Sequence, residues 1–334
     1  MAESYVIGVD FGSDSVRALI VNTETGENVG QGVACYPRWK AGLYQHPEHS
    51  IFRQHPLDYL ESLEKCITTA LAELTEEQKD HVIGIGVDTT GSTPVPVDKN
   101  GTPLALLDEF AENENAMFFL WKDHAAAAEA DEINKLFRNN SENDYTKYQG
   151  DYSAEWYWAK ILYAVRHDEA IRQAAYTWEE HCDWMTGILC GETRPEKIYH
   201  SACAAGHKAL WHSEWNGLPA ASVLEQLDPY LVQVRERYGN APQPSTVKVG
   251  TLCPEWAKKL GLKESTVISG SSFDAHAGAV GAGIQKKTFV CTMGTSCVDM
   301  FVEKPENLKG KDIQAYCGQA ENSILPGYVG VETG

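Results

Sequence analysis

Residues 6–21 have the sequence VIGVDFGSDSVRALIV, in which two apolar runs flank a turn rich in glycine and serine. The runs predict two β-strands joined by a hairpin. A third apolar run at 29–35, a helical spacing of leucines at 60–74 and an apolar run at 82–88 follow. The predicted order is therefore β-β-β-α-β, which is typical of an α/β fold.

A second copy of this pattern appears near the end of the chain. Residues 288–302, TFVCTMGTSCVDMFV, repeat the strand, turn and strand of 6–21, and we infer two related halves with a phosphate chain between their hairpin tips. We predict a first domain over 1–267, with a helical, aromatic insertion at about 110–215, and the start of a second domain over 268–334. The second domain is expected to be incomplete, because its residues supply too few strands and helices.

Composition excludes several classes of protein. The 334 residues carry a formal net charge of −19 without a basic cluster, which argues against a nucleic-acid partner. The sequence has neither a signal-like start nor 18 consecutive apolar residues, so we expect no export and no membrane span. Nine cysteines without a CxxC pair predict reduced thiols in a cytoplasmic protein. The oligomeric state stays open, a homodimer included.

The two hairpin turns are candidate phosphate sites. Gly12 and Ser13 follow Asp10 at the end of the first strand, where backbone N–H groups and a hydroxyl could meet phosphate oxygens. Asp10 could hold Mg²⁺ directly or through water. An ordinary hairpin turn would use the same residues, and alone it is the simpler interpretation. Gly294 and Thr295 repeat the arrangement in the second hairpin, and the pair favours phosphate binding.

Other modes of nucleotide binding do not fit. The sequence contains no G-x-x-x-x-G-K-S/T, and no G-x-G-x-x-G opens a helix after the first strand. P-loop and Rossmann sites are therefore excluded.

Two further strand ends carry polar groups. In GSSFDAH, residues 270–276, Asp274 follows a strand and begins a helix. It could cap the helix, or it could accept the proton of a sugar hydroxyl during phosphoryl transfer, and the local sequence favours neither. The segment DTTGST at 88–93 offers hydroxyls and a glycine suited to a polyol, although many ordinary turns have this composition.

Taken together, these features resemble the FGGY family of carbohydrate kinases. The resemblance is carried by IGVDFGSDSVRA (7–18), GVDTTGSTPVPVD (86–98), AMFFLWKDH (116–124), SAEWYWAKILYAVRHDE (153–169), HKALWH (207–212) and GSSFDAHAGAVGAG (270–283). It implies an actin-like ATPase fold of the ribonuclease H type, with ATP and Mg²⁺ as cofactors. It also implies transfer of the γ-phosphoryl group to L-ribulose or a related ketopentose, within L-arabinose breakdown.

The resemblance also assigns roles to residues. It implies Asp274 as the catalytic base, Asp10 as the metal residue, and phosphate contacts at Gly12, Ser13, Gly294 and Thr295. The sugar contacts that it implies, besides Asp274, are Gly91, Ser92, Lys208 and Glu332. The adenine-binding part of the second domain is expected to be missing, so we expect weak ATP binding and little activity from this chain. Two alternatives remain: a kinase for another ketopentose or polyol, and a non-catalytic, sugar-binding, actin-like protein.

Overall fold

The computed structural model of the protein describes residues 3–293, 297–309, 311 and 318–333. The predicted phosphate residues Gly294 and Thr295 lie outside this described part. Its strands are β1 (Tyr5–Phe11), β2 (Ser15–Asn22), β3 (Asn28–Cys35), β4 (Gln45–His46), β5 (Ile51–Gln54), β6 (Val82–Thr89), β7 (Pro94–Val97), β8 (Phe118–Phe119), β9 (Thr177–Glu180), β10 (Lys248–Thr251), β11 (Val267–Ser269), β12 (Ser272–Phe273), β13 (Val290–Met293), β14 (Cys297–Glu303), β15 (Gly318–Glu321) and β16 (Val329–Thr333).

The α-helices of the same residues lie between these strands, singly or in groups. They are α1 (Pro37–Lys40), α2 (Pro56–Leu71), α3 (Glu76–Lys79), α4 (Ala127–Arg138), α5 (Tyr157–His167), α6 (Glu169–Ala174), α7 (His181–Cys190), α8 (Ala202–His207), α9 (Ala221–Leu227), α10 (Pro229–Glu236), α11 (Pro254–Leu260), α12 (Asp274–Gly281) and α13 (Pro305–Leu308).

The main sheet has seven strands in the order β10-β11-β6-β1-β2-β3, with β12 pairing beside β6. Strands β1, β2 and β3 are antiparallel, whereas β6 runs parallel to β1, and β11 and β12 run parallel to β6. The predicted β-β-β-α-β order is confirmed by β1, β2, β3, α2 and β6. Because parallel strands end at the same edge of a sheet, the residues that follow β1, β6 and β12 come together there.

Helix α2 covers one face of this sheet at very short range. A Cβ atom on Gly32 of β3 would lie 2.1 Å from the backbone oxygen of Cys66 in α2. A side chain at this position would therefore push the helix away. On the neighbouring strands β1 and β2, Ile7, Val9 and Ile20 are buried, so these apolar side chains form the core face of the sheet.

The predicted insertion is largely helical and has its own aromatic core. The helical region that was expected at about 110–215 contains α5 and α7. Trp158 and Trp178 are fully buried there. Strand β9, which pairs antiparallel with β7, was not expected from the sequence. Within the described part of the chain, no helix has both the length and the apolar composition required to cross a bilayer.

A second sheet follows, with the order β13-β14-β16-β15 and antiparallel pairing throughout. Its first two strands correspond to the repeated pattern at 288–302. Strands β11 and β12 pair with β6, so the chain stays in the first sheet up to Phe273. The change of sheet thus comes after the expected boundary at 267/268, and the domain limits 1–267 and 268–334 stay a prediction.

Candidate active site

Three aspartates lie near the edge where the parallel strands of the main sheet end. Asp10 and Asp88 stand directly opposite each other at the ends of β1 and β6. Ser272 of β12 stands opposite Asp88, and Asp274 follows two residues later at the start of α12. The topology therefore gathers carboxylates that are far apart in the sequence into one acidic cluster.

The electrostatics of the acidic cluster favour a cation. Burial raises the pKa of Asp88 well above its ordinary value, and the charges of Asp10 and Asp274 and a hydrogen bond with Asp10 raise it further. Arg17, which is 56% exposed, makes an ion pair with Asp10 at 3.3 Å. Carboxylate oxygens with an excess of negative charge are the donors that Mg²⁺ prefers. The donor set therefore fits a magnesium ion.

The prediction that Asp274 caps its helix is wrong, because the cap position of α12 is Phe273, which makes no side-chain capping hydrogen bond. The helix begins at Asp274 itself, after Phe273, and the Asp274 Oδ1 atom accepts a 2.7 Å hydrogen bond from the N–H of Ala275. Its Oδ2 atom has no partner among the described residues, and the residue is open to solvent. Nearby protein still raises the pKa of Asp274 by displacing water, against the effect of the Ala275 N–H. One carboxylate oxygen thus serves the helix, and the other can act on a ligand.

The first hairpin turn is held rigidly by its carbonyl groups. The Tyr36 hydroxyl donates to the carbonyl of Gly12 at 3.0 Å, and the Gln54 amide donates to the carbonyl of Ser13 at 2.7 Å. The N–H groups of Ser13 and Asp14 have no partner within the described residues. A fixed turn that presents unpaired N–H groups is a suitable site for a phosphate oxygen.

Two tryptophans orient the side chains of this turn. The indole N–H of Trp121 donates to the Ser13 hydroxyl at 2.8 Å, and that of Trp39 donates to Asp14 Oδ1 at 2.7 Å. The Ser13 hydroxyl keeps its own proton free to donate. The sequence did not predict these two contacts, because 108 residues separate Trp121 from Ser13 and 25 separate Trp39 from Asp14.

Ser92 faces into the protein. It is fully buried, and its hydroxyl donates to the carboxylate of Glu180, which also accepts the N–H of Thr93 at 2.9 Å. The carbonyl of Ser92 accepts a 2.7 Å hydrogen bond from Lys160 Nζ. Only the backbone N–H of Ser92 has no partner among the described residues. Because the whole residue is buried, backbone included, a sugar contact from Ser92 stays a prediction.

Lys208, at the end of α8, contacts Glu332 of β16, although 124 residues separate them in the sequence. Lys208 Nζ lies 3.2 Å from Glu332 Oε1, His276 Nε2 lies 3.0 Å from Glu332 Oε2, and His207 Nδ1 lies 3.3 Å from Glu332 Oε1. Burial alone would raise the pKa of Glu332, but His207, Lys208 and His276 outweigh it and hold that pKa well below its usual range. Glu332 is thus ionised and anchors the cations Lys208 and His276, whereas burial lowers the pKa of His207 to about 3 and leaves that ring neutral at pH 7.

Comparison with known proteins agrees with this geometry. The model of the N-terminal domain of the FGGY family of carbohydrate kinases matches residues 5–281. The chain belongs to the FGGY family of carbohydrate kinases.

The relatives of this FGGY chain include a protein named ribulokinase from Vibrio parahaemolyticus, 47% identical over 333 residues. A ribulokinase from Shouchella clausii is 34% identical over 340 residues. Each match covers 99% of this chain, but only 59% of the first relative and 58% of the second. The chain therefore spans less than two thirds of the length of these relatives.

Solved structures confirm the expected fold class. The FGGY chain matches gluconate kinase from Lactobacillus acidophilus with a TM-score of 0.75 at 13% identity, covering 99% of this chain and 59% of that one. It matches Plasmodium falciparum glycerol kinase with ADP with a TM-score of 0.75 at 14% identity, covering 99% of this chain and 61% of that one. The fold is the actin-like ATPase fold of the ribonuclease H type.

Several residues in the FGGY site were not singled out by their sequence. The sequence assigned no role to Asp88, His207 or His276. Each of them nevertheless lies beside a residue to which it did assign a role. A weak signal existed for Asp88, because it ends an apolar strand as Asp10 does. Glu180 and Lys160 had no comparable signal, since they act on Ser92 from 88 and 68 residues away.

Gly91 packs directly against the aromatic ring of Phe273, the residue before Asp274, and leaves no room for a side chain. A Cβ atom at Gly91 would lie 1.8 Å from Cε1 of Phe273, so Gly91→Ala must displace that ring. We expect this substitution to lower the free energy of unfolding by about 1–3 kcal/mol, as overpacking does, in urea unfolding. Gly8→Ala is the matched control, because nothing lies within 4 Å of a Cβ there. Equal effects of the two substitutions would refute the packing argument.

His276 is expected to stay protonated at pH 8. Burial lowers its pKa, but Cys203 and Glu332 outweigh burial and raise the pKa of His276 to about 10. Since the pKa is higher in the folded state, this stabilisation is complete below pH 6.5 and is lost as the pH rises through about 10. Imidazole ¹⁵N NMR measures the titration directly. Glu332→Gln should move the His276 midpoint to lower pH, and an unchanged midpoint would show that Glu332 does not hold this proton.

Proposed function

We propose that the chain provides the sugar site and the catalytic base of an ATP-dependent ribulokinase. The reaction transfers the γ-phosphoryl group of ATP to the terminal hydroxyl of L-ribulose, and L-ribulose 5-phosphate enters L-arabinose breakdown. The observation that carries the proposal is the unpartnered oxygen of Asp274 beside Asp10 and Asp88. The 47% identity to a protein named ribulokinase supports the choice of sugar. A cytoplasmic location stays a prediction.

Asp274 acts on the sugar hydroxyl in this proposal. The hydroxyl is a weak nucleophile, and a carboxylate at hydrogen-bond distance accepts its proton as the oxygen attacks phosphorus. The hydrogen bond from Ala275 keeps the carboxylate oriented. The raised pKa of Asp274 makes it a stronger acceptor of the proton than an ordinary aspartate.

The first turn and the acidic cluster act on the nucleotide. The free N–H groups of Ser13 and Asp14, and the Ser13 hydroxyl, donate to phosphate oxygens. Asp10 and Asp88 would hold Mg²⁺, which when bound neutralises charge on the phosphates. Gly294 and Thr295 are proposed as the matching contacts from the second hairpin. Arg17 screens Asp10 from the side of β2.

Lys208 and Glu332 act on the sugar. A hydroxyl placed between them can accept from the Lys208 ammonium and donate to the Glu332 carboxylate, replacing their direct contact. The backbone at Gly91 and Ser92 completes the proposed sugar contacts. Because a site built for such hydrogen bonds discriminates strongly against sugars that lack the matching hydroxyl, we expect selectivity among pentoses.

Calorimetry with a panel of sugars tests this proposal on the 334-residue chain. L-ribulose is expected to bind more tightly than pentitols, glycerol or hexoses, and Lys208→Met should weaken its binding by at least about tenfold. Lys135→Met, an exposed change on α4, is the control. Tighter binding of glycerol or a hexose would contradict the proposed substrate. Phosphoryl transfer is then measured in a version extended to the length of the relatives.

A further inference from the structure

Two exposed cysteines lie side by side on the second sheet. Cys291 pairs with Asp299 across β13 and β14, and Met293 pairs with Cys297. Residues opposite one another, or two apart along a strand, share a face of the sheet, so Cys291 and Cys297 are diagonal neighbours on one face. Their sulfur atoms are 3.1 Å apart, and both residues are exposed.

The sulfur separation distinguishes a thiol pair from a metal site. Asp299 also lies close, with its Oδ1 atom 3.8 Å from Cys297 Sγ, so the three groups could together hold a metal ion. Two thiolates on one zinc ion, each bound at about 2.3 Å, would stand roughly 3.8 Å apart in a tetrahedral site. The observed 3.1 Å is shorter and places the sulfurs in direct contact. Only about 1 Å of approach then separates them from a disulfide bond.

We propose that Cys291 and Cys297 are a modification site that forms an intrachain disulfide by exchange with an oxidised low-molecular-weight thiol. The thiolate of one cysteine attacks a sulfur of the small disulfide, forms a mixed disulfide and releases one small thiol. The second cysteine attacks the protein sulfur of that bond and releases the second small thiol. The two protons lost by the cysteines leave with the two released thiols, and the small disulfide is reduced by two electrons.

Asp299 restrains this exchange. The hydrogen bond with Cys297 and the neighbouring Asp299 carboxylate raise the pKa of Cys291 to about 12, so little thiolate is present at neutral pH. Attack by the Cys291 thiolate should therefore be slow at neutral pH. Asp299→Asn removes the negative charge and is expected to speed the formation of the disulfide.

The position of the pair gives the bond a consequence for the proposed function. The two cysteines flank residues 292–296, which contain the predicted phosphate residues Gly294 and Thr295. A disulfide would close a small ring that contains these residues. This consequence rests on the proposed ATP site, whereas the formation of the bond does not.

Mass spectrometry after incubation with oxidised glutathione tests the proposal without any activity assay. The chain is expected to lose two hydrogens, and the tryptic peptide that contains both Cys291 and Cys297 should account for this loss, with no lasting glutathione adduct on either cysteine. Cys297→Ser removes the resolving thiol, so Cys291 should keep glutathione as a stable mixed disulfide; Cys291→Ser should show the reverse. Cys35→Ser, which removes another exposed thiol, is the matched control and should leave the disulfide unchanged.

Two outcomes would overturn the proposal. One is a chain in which these cysteines stay reduced or accumulate glutathione without losing hydrogens. The other is stoichiometric binding of zinc by the reduced chain that disappears in Cys297→Ser, because it would identify a metal site. Loss of sugar binding or phosphoryl transfer would bear on the proposed function alone, and it would leave the disulfide untouched.

Discussion

Asp274→Asn is expected to lower kcat for phosphorylation of L-ribulose by about 10²- to 10⁴-fold, the range that a general base contributes. The amide has nearly the same shape as the carboxylate, and its oxygen can still accept the N–H of Ala275, so the start of α12 should persist. It cannot accept the proton of the sugar hydroxyl. The loss should therefore appear in kcat, while the affinity for L-ribulose changes much less.

The measurement needs both the variant and a matched control. Turnover is followed by ADP release in a version that carries the remaining part found in the relatives, and sugar binding is measured in the 334-residue chain. Asp131→Asn, an exposed change of the same kind on α4, should leave kcat unaltered. Retained phosphoryl transfer by Asp274→Asn would remove the role of catalytic base that is assigned to Asp274.

The first half of the main sheet could be predicted from the sequence because it is locally encoded. Strands β1 and β2 are apolar runs joined by a glycine turn, and β6 carries Asp88 one residue before its end. The same reasoning found Asp10, because a carboxylate directly after a buried strand stands out. It did not join Asp10 to Asp88, since the register between two parallel strands is set by packing and leaves no mark in either segment.

The surroundings of Ser92 could not be predicted for a different reason. The hydroxyl suggested a sugar contact, but the side chain turns inward to Glu180, which ends β9 in the inserted region. That strand was itself unexpected. The Glu180 carboxylate has no partner nearby in the sequence. It reaches Ser92 and Thr93 only because β9 pairs with β7. The sequence indicated which segment borders the site, and the tertiary fold determined which atoms it presents.

The expected effect of Lys160→Met on stability follows from that same buried arrangement. Lys160 is completely buried, and its Nζ atom donates to the carbonyls of Ser92 at 2.7 Å and Leu120 at 2.9 Å. Burial lowers the pKa of Lys160 to about 7 against the opposing charge of Glu180. Burial likewise raises the pKa of Glu180 to about 7, against the hydrogen bonds from Ser92 and Thr93. The two groups thus depend on one another for their charge.

Methionine fills most of the lysine volume but donates no hydrogen bond. It leaves buried carbonyls unpaired and Glu180 without a compensating cation, so we expect a loss of about 3–5 kcal/mol in the free energy of unfolding, measured in urea. Lys135→Met is the matched control and should change it by less than about 0.5 kcal/mol, because that lysine is exposed. Adding Glu180→Gln to Lys160→Met should cost less than the two single effects summed, since the uncompensated charge is removed. Strict additivity would show that Lys160 supports the Gly91-Ser92 segment through its carbonyl contacts alone.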